Sequence, residues 1–224
     1  MPHRGAGSSR TFEKEGVKVP RGSVARTARI PYITQWDSEL AGPESDLVVD
    51  MRSMPPRLAY RNERPMDRDG SGVLWARVSQ SPRVGKPDFA TMHSGRQYEC
   101  MYALKCQVCG RAASKTQDGY LFLIFPQPSD PASWPEGARV NQPPVCLEHA
   151  QLAMRLCPRN EDFLAVRARV PKLWGVSGVL YRYTEDGWES DTEAPDLRYG
   201  DERLNAMLAS HLVRELRNVT VVEL

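Results

Sequence analysis

Apolar residues in this chain come in short clusters divided by proline, glycine and charge, and the period within each cluster predicts its element. Arg29-Ile30-Pro31-Tyr32-Ile33-Thr34-Gln35-Trp36 alternates as a short strand, with Pro31 placing it at a sheet edge or a strand start. Leu47-Val48-Val49 is the next apolar run. Met51 to Gly72 is rich in proline and arginine and carries Pro55-Pro56 and the turn pair Asp69-Gly70, so it reads as a loop leading into a strand from Val73 to Val78. A second loop, Ser79 to Phe89, holds Pro82 and Pro87.

The period then changes. From Ser94 to Lys105, Tyr98, Met101, Tyr102 and the stem of Lys105 fall at i, i+3, i+4 and i+7, which predicts a helix with Ser94 as its N-cap. Asp118-Gly119 is a turn signal ahead of Tyr120 to Phe125, apolar throughout and so expected to be a strand buried on both faces. After a proline-rich loop to Pro144, a second helix opens at Cys146, presents Leu147, Ala150, Met154 and Cys157, and stops at Pro158. Phe163 to Val170 and Val176 to Thr184 read as two strands, the second turning through Asp186-Gly187 into Trp188, with Glu189 to Asp196 as a solvated acidic linker. Asp201 caps a predicted C-terminal helix whose Leu204, Met207, Leu208, His211, Leu212 and Leu216 form an apolar face, and Val219 to Leu224 is a last strand. The expected fold is α+β, a small mixed sheet packed on three main helices in a single domain over residues 30–224.

Residues 1–29 lack any such pattern. They hold Arg4, Arg10, Lys14, Lys18, Arg21, Arg26 and Arg29 against Glu13 and Glu15, a basic and flexible arm. Over the whole chain 30 basic and 28 acidic side chains leave a formal charge of +2, so no global field draws it to nucleic acid or to a membrane. No apolar run approaches the roughly 18 residues that cross a bilayer, and no apolar signal core follows the first methionine, so a cytoplasmic location is expected.

Five cysteines change the picture more than the charge does. Cys106-x2-Cys109 and Cys146-x2-His149 are two short chelates, each with donors close enough to converge on one ion without a long-range search. Gly110 lets the chain turn so that both thiolates of the first pair aim at one point, and the second pair sits on the first turn of the predicted helix. Thiolate and imidazole are the donors zinc prefers, and four protein donors close its tetrahedron, so the expected cofactor is one structural Zn2+ held by Cys106, Cys109, Cys146 and His149. Cys157 lies on nearly the same helix side as Cys146 but about 16 Å further along, and reads as a small core residue. Cys100 approaches the ion only if its helix breaks early. His93 and Cys100 are about 10.5 Å apart along a helix, too far to share a metal. His211 faces the apolar side of the last predicted helix as a packed residue.

Knuckle, hairpin and helix-borne ligands in that order resemble the treble-clef zinc fingers, over residues 106–157. Cys-Gln-Val-Cys-Gly-Arg-Ala with Pro-Pro-Val-Cys-Leu-Glu-His-Ala-Gln-Leu-Ala also resembles uncharacterised proteins of actinobacteria and their phages. Treble clefs host nucleic-acid binders, protein-interaction modules and HNH nucleases, so the resemblance implies an architecture and not an activity. HNH chemistry needs a general-base histidine on the hairpin, and Ala112 to Phe125 contains none. Phosphate-loop, dinucleotide, zinc-protease and serine-hydrolase motifs are absent from the sequence. The expected role is therefore a non-catalytic, zinc-stabilised binding or scaffold protein with a protein partner. The alternative is nucleic-acid binding by the basic arm and the arginine-rich loop, through Arg52, Arg57, Arg61 and Arg64, against which stand the acids Glu63, Asp67 and Asp69 in the same loop.

Overall fold

A computed structural model describes residues 30–43, 46–156, 163–185, 187–191 and 196–224. Two long antiparallel strands form its spine: β9 (Leu164–Thr184) and β12 (Met207–Val221), paired from Val221 opposite Val166 to Met207 opposite Leu180. Before them in the chain come β1 (Thr34–Trp36), β2 (Leu47–Asp50), β3 (Arg57–Tyr60), β4 (Leu74–Trp75), β5 (Pro87–Met92), α1 (Ser94–Tyr102), β6 (Lys115–Thr116), β7 (Gly119–Ile124), β8 (Arg139–Val140) and α2 (Leu147–Leu156). Between the two long strands lie β10 (Gly187–Ser190) and β11 (Leu197–Arg198). The main sheet runs β4-β12-β9-β7-β6, with β10 and β11 also on β9 and β8 also on β12, and it curls into a half-barrel. β1 with β5, and β2 with β3, make two small separate sheets.

Three helices over a small sheet were expected; the described residues hold two α-helices and a large sheet, and the C-terminal helix is the element that differs most. Asp201 does cap a helical turn, its carboxylate accepting from the Arg203 N–H at 3.0 Å, but that turn is a 3-10 segment ending at Ala206. From Met207 the chain is strand. Its register slips at Ser210, where one extra residue separates the pair Ala209–Gly178 from the pair His211–Ser177. Met207, Ala209, Leu212 and Leu216 all enter one core cluster, so the bulge turns a two-residue step into three and imitates a helical period. Leu208, on the other face, packs against the cluster of Leu58, Tyr60, Leu74 and Tyr181, so neither face reads as polar.

The two strands predicted around Pro171 are likewise one. Pro171 pairs with Leu216, and Trp174 is bulged between the pairs Val213–Gly175 and Arg214–Leu173. The Trp174 carbonyl instead accepts from the Tyr199 N–H at 3.0 Å, and Arg139 lies over its ring at 4.0 Å. Close packing fixes glycine nearby: a Cβ on Gly178 would stand 2.1 Å from the Leu208 carbonyl oxygen. In the region read as two loops the structure adds β3 and β5, while the strand expected over Val73 to Val78 shrinks to β4.

β7 is buried on both faces, as its unbroken apolar run predicts. Phe122 and Ile124 join the core under α1, whereas Leu121 and Leu123 pack with Cys106, Val145 and Ala150 around the base of α2. α1 forms where its period predicts, but its N-cap is His93, whose Nδ1 accepts from the Arg96 N–H at 3.4 Å. Three polar clamps seat α1. Arg96 reaches Glu39 (2.6 and 2.7 Å) and the Thr34 carbonyl (2.8 Å). Gln97 donates to the carbonyls of Leu212 and Asn141 and accepts from the Leu212 N–H, satisfying main-chain groups of β12 where the sheet leaves them unpaired. Arg214 donates to the carbonyls of Met101, Tyr102 and Pro171, holding the helix C-terminus to both long strands.

Candidate metal centre

α1 delivers the first ligand pair directly. After Tyr102 the chain turns through Leu104 in a left-handed conformation (φ 53°), Lys105 N–H donates to the Cys100 carbonyl at 2.8 Å, and Cys106 follows. The loop back is closed by Gly110 N–H on the Cys106 carbonyl (2.8 Å) and Cys106 N–H on the Arg111 carbonyl (2.6 Å). Gly110 is required for two reasons: its φ is +69°, and a Cβ there would lie 3.3 Å from the Tyr32 ring. The second pair is stitched to the first by main-chain bonds. Gln107 N–H donates to the Pro144 carbonyl (3.0 Å), Ser114 N–H to the Val145 carbonyl (2.9 Å), and Val145 N–H to the Leu121 carbonyl (2.9 Å). Cys146 then opens α2, with Ala150 N–H on its carbonyl at 3.0 Å, and His149 lies one turn on, on the same side.

These elements bring the four predicted ligands together: one donor atom each of Cys106, Cys109, Cys146 and His149 lie within 4.8 Å of one another. His149 Nδ1 is 2.9 Å from Cys146 Sγ and 3.8 Å from Cys106 Sγ. A tetrahedral ion with metal–sulfur bonds near 2.3 Å and a metal–nitrogen bond near 2.0 Å needs edges of roughly 3.5–3.8 Å. The edges straddle that range: the Cys146–His149 edge would open by about half an ångström, and the widest separation, up to 4.8 Å, would close by about one. The group can therefore hold a metal ion. The four would fill a tetrahedron with protein atoms, which leaves the ion to bind and orient the chain rather than to activate water.

The two thiols of the first pair are pushed in opposite directions. Burial pushes the Cys106 thiol up to about 11. Burial also opposes ionisation of Cys109, yet hydrogen bonds from the Arg111 main chain and side chain and from the neighbouring thiols outweigh it and hold that thiol below its ordinary range. Arg111 was not among the residues singled out from sequence. Its signal was position, directly after Cys-x2-Cys-Gly, and it supplies positive charge beside a thiolate-rich set.

The remaining candidates fall elsewhere. Cys100 is fully buried in α1, pushed up to about 12 by that burial, and its thiol faces the Cys106 carbonyl at 3.8 Å. His93 caps α1 and sets Nε2 3.2 Å from the Ser79 carbonyl. His211 is on β12, with Nδ1 2.8 Å from the Ser210 hydroxyl. Arg52 and Arg57 both pair with Asp50, at 3.0 and 3.2 Å, while Arg61 and Arg64 are exposed. Cys157, the end of the second helix at Pro158 and the arm of residues 1–29 lie outside the described residues.

No family model, curated protein or solved structure matches the chain. Among the described residues no helix is long and apolar enough to cross a membrane.

Proposed function

We propose that this is a non-catalytic binding or scaffold protein in which Cys106, Cys109, Cys146 and His149 hold one structural zinc, and that its partner is another protein. The observation that carries the reading is the closed donor set: three thiols and one imidazole nitrogen within 4.8 Å, each on a segment already pinned to the others by main-chain bonds. Sulfur-rich tetrahedral donors favour zinc over the harder divalent cations. The order of knuckle, β6–β7 hairpin and α2 supports the treble-clef resemblance. Cys100, Cys106, Cys109 and Cys146 are free thiols, which suits the reducing cytoplasm.

Elemental analysis of the purified chain tests the metal, with one zinc per chain expected. A cobalt-substituted sample is expected to show tetrahedral thiolate absorption that added azide does not change. An azide-sensitive spectrum would reveal an exchangeable position and overturn the non-catalytic reading. Nucleic-acid binding through Arg52, Arg57, Arg61 and Arg64 ranks second because Asp50 already engages two of the four. Binding to mixed-sequence DNA or RNA that steepens at low salt would reverse that order.

A further inference from the structure

Away from the knuckle, the N-terminal turn of α1, β4 and the segment around Pro65–Asp67 border an open cavity of about 600 Å³. That is the size of pockets that bury small organic ligands. Its wall includes Trp75 and Tyr98, set edge to face with centroids 4.8 Å apart. Met66 and Leu40 also line it, 81% and 68% exposed, a large apolar surface to leave in water beside a recess.

The polar groups in this lining divide sharply. Its acids are already satisfied. Asp67 accepts from Arg77 and from the Arg64 N–H, and Asp69 accepts from two main-chain N–H groups, from Trp75 Nε1 and from the Tyr199 hydroxyl. The groups with capacity left are donors. Ser94 is 5% exposed, and its hydroxyl has no hydrogen-bond partner among the described residues. The N–H groups of Ser94 and Gly95 precede the first bonded amides of α1, those of Arg96 and Gln97. Arg64 is exposed and forms no ion pair among the described residues. Gln80 sets its Nε2 within 3.4 Å of where a Cβ on Gly95 would stand, beside the same helix turn.

We propose that this cavity binds a small aromatic anion, a planar ring carrying a phosphate or a carboxylate. The anion lies at the first turn of α1, where the Ser94 hydroxyl, the two free amides and the helix dipole meet it and Arg64 covers it. The ring lies along the Trp75–Tyr98 wall under Met66 and Leu40. The Ser94 hydroxyl is not a buried orphan but opens onto the recess, so an anionic ligand can take it up together with its neighbouring donors. This site is independent of the zinc reading, since none of its lining residues is a metal ligand.

Titration calorimetry on the full metal-loaded chain tests the proposal with four probes: AMP, indole-3-acetate, adenosine and inorganic phosphate. At least one of the two aromatic anions is expected to bind one per chain with Kd below about 1 mM, and about tenfold tighter than adenosine or phosphate alone. Whichever of the two binds better identifies the anionic group. Ser94→Ala and Arg64→Ala are each expected to weaken that binding about tenfold, while Arg182→Ala, at an exposed arginine paired with Glu189, leaves it unchanged. Thermal melts and zinc content of the same samples report whether each variant is folded and loaded. Loaded, folded protein that binds neither aromatic anion overturns the cavity proposal and leaves the metal reading standing. So does binding that is undiminished in both variants, or adenosine binding as tightly as AMP.

Discussion

Replacing Arg214 with methionine keeps the length of the side chain and deletes its fork of donors. The residue is 6% exposed and donates to the carbonyls of Met101 (2.8 Å), Tyr102 (3.0 Å) and Pro171, with no carboxylate in ion-pair reach among the described residues. Hydrogen bonds from a charged donor contribute about 1.5–3 kcal/mol each, so three give a gross gain of about 4–9 kcal/mol. Against this stands the cost of burying the charge. Desolvation pushes the guanidinium down from 12.5 to about 10, a difference worth about 3 kcal/mol. The net loss in Arg214→Met is therefore about 1–6 kcal/mol, or roughly 0.5–3 M in the urea midpoint for an m-value near 2 kcal/mol/M. Arg214→Lys distinguishes shape from charge: an ammonium cannot span three carbonyls set on two elements, so it should recover less than half of the loss. Equilibrium urea unfolding of the three proteins decides it. A loss under about 1 kcal/mol in Arg214→Met, or a lysine that restores most of the stability, would refute the argument that a planar fork joins α1 to the long strands.

Cys109→Ser should lose the metal by elemental analysis and lose hydrogen-exchange protection between the two ligand pairs, because binding there is coupled to local folding; full metal content would count against the site. Glu39 gives a pH test. Burial alone would raise its carboxyl, but Arg96 and the N–H groups of Trp36 and Ser81 hold it at about 2 against an ordinary 4.5. A depressed carboxylate stabilises above its unfolded value and loses that contribution as pH falls, so the gap in urea midpoint between wild type and Glu39→Gln should narrow from pH 6 to pH 3; a constant gap would show that ionisation is not the cause. Gly178→Ala forces a Cβ to 2.1 Å from the Leu208 carbonyl oxygen and should cost at least about 2 kcal/mol, whereas Gly70→Ala, with nothing within 4 Å, should change the melting temperature little.

What could be read from the sequence was what the chain encodes locally. The ligand pairs each span four residues, the β6–β7 turn falls at Gln117-Asp118, one residue before the expected Asp118-Gly119, and α1 declares itself by period, so all three emerge at or close to where expected. The long strands were hidden by bulges. Ser210 on β12 and Trp174 on β9 each insert one residue, and a single insertion erases the two-residue alternation on which strand recognition depends. Pro171 reads as a stop, yet in the fold it pairs with Leu216 and offers its carbonyl to Arg214. The donors around the cavity come from Arg64, Gln80 and Ser94, and two of them read in the sequence as something else, Arg64 as part of a nucleic-acid face and Ser94 as a helix cap; only tertiary folding places all three in one lining.

β9 receives neighbours on both edges, and the one that covers most of its length, from Val166 to Leu180, is β12, which follows every other described strand in the chain. During synthesis the ladder of β9 must wait for the segment beginning at Met207, while the knuckle, hairpin and α2 need only contacts within about fifty residues of one another. The Cys/His module is thus the early-closing part and the half-barrel the late one. A ribosome-stalled chain ending before Met207 should capture metal while still exposing an adhesive strand edge to chaperones.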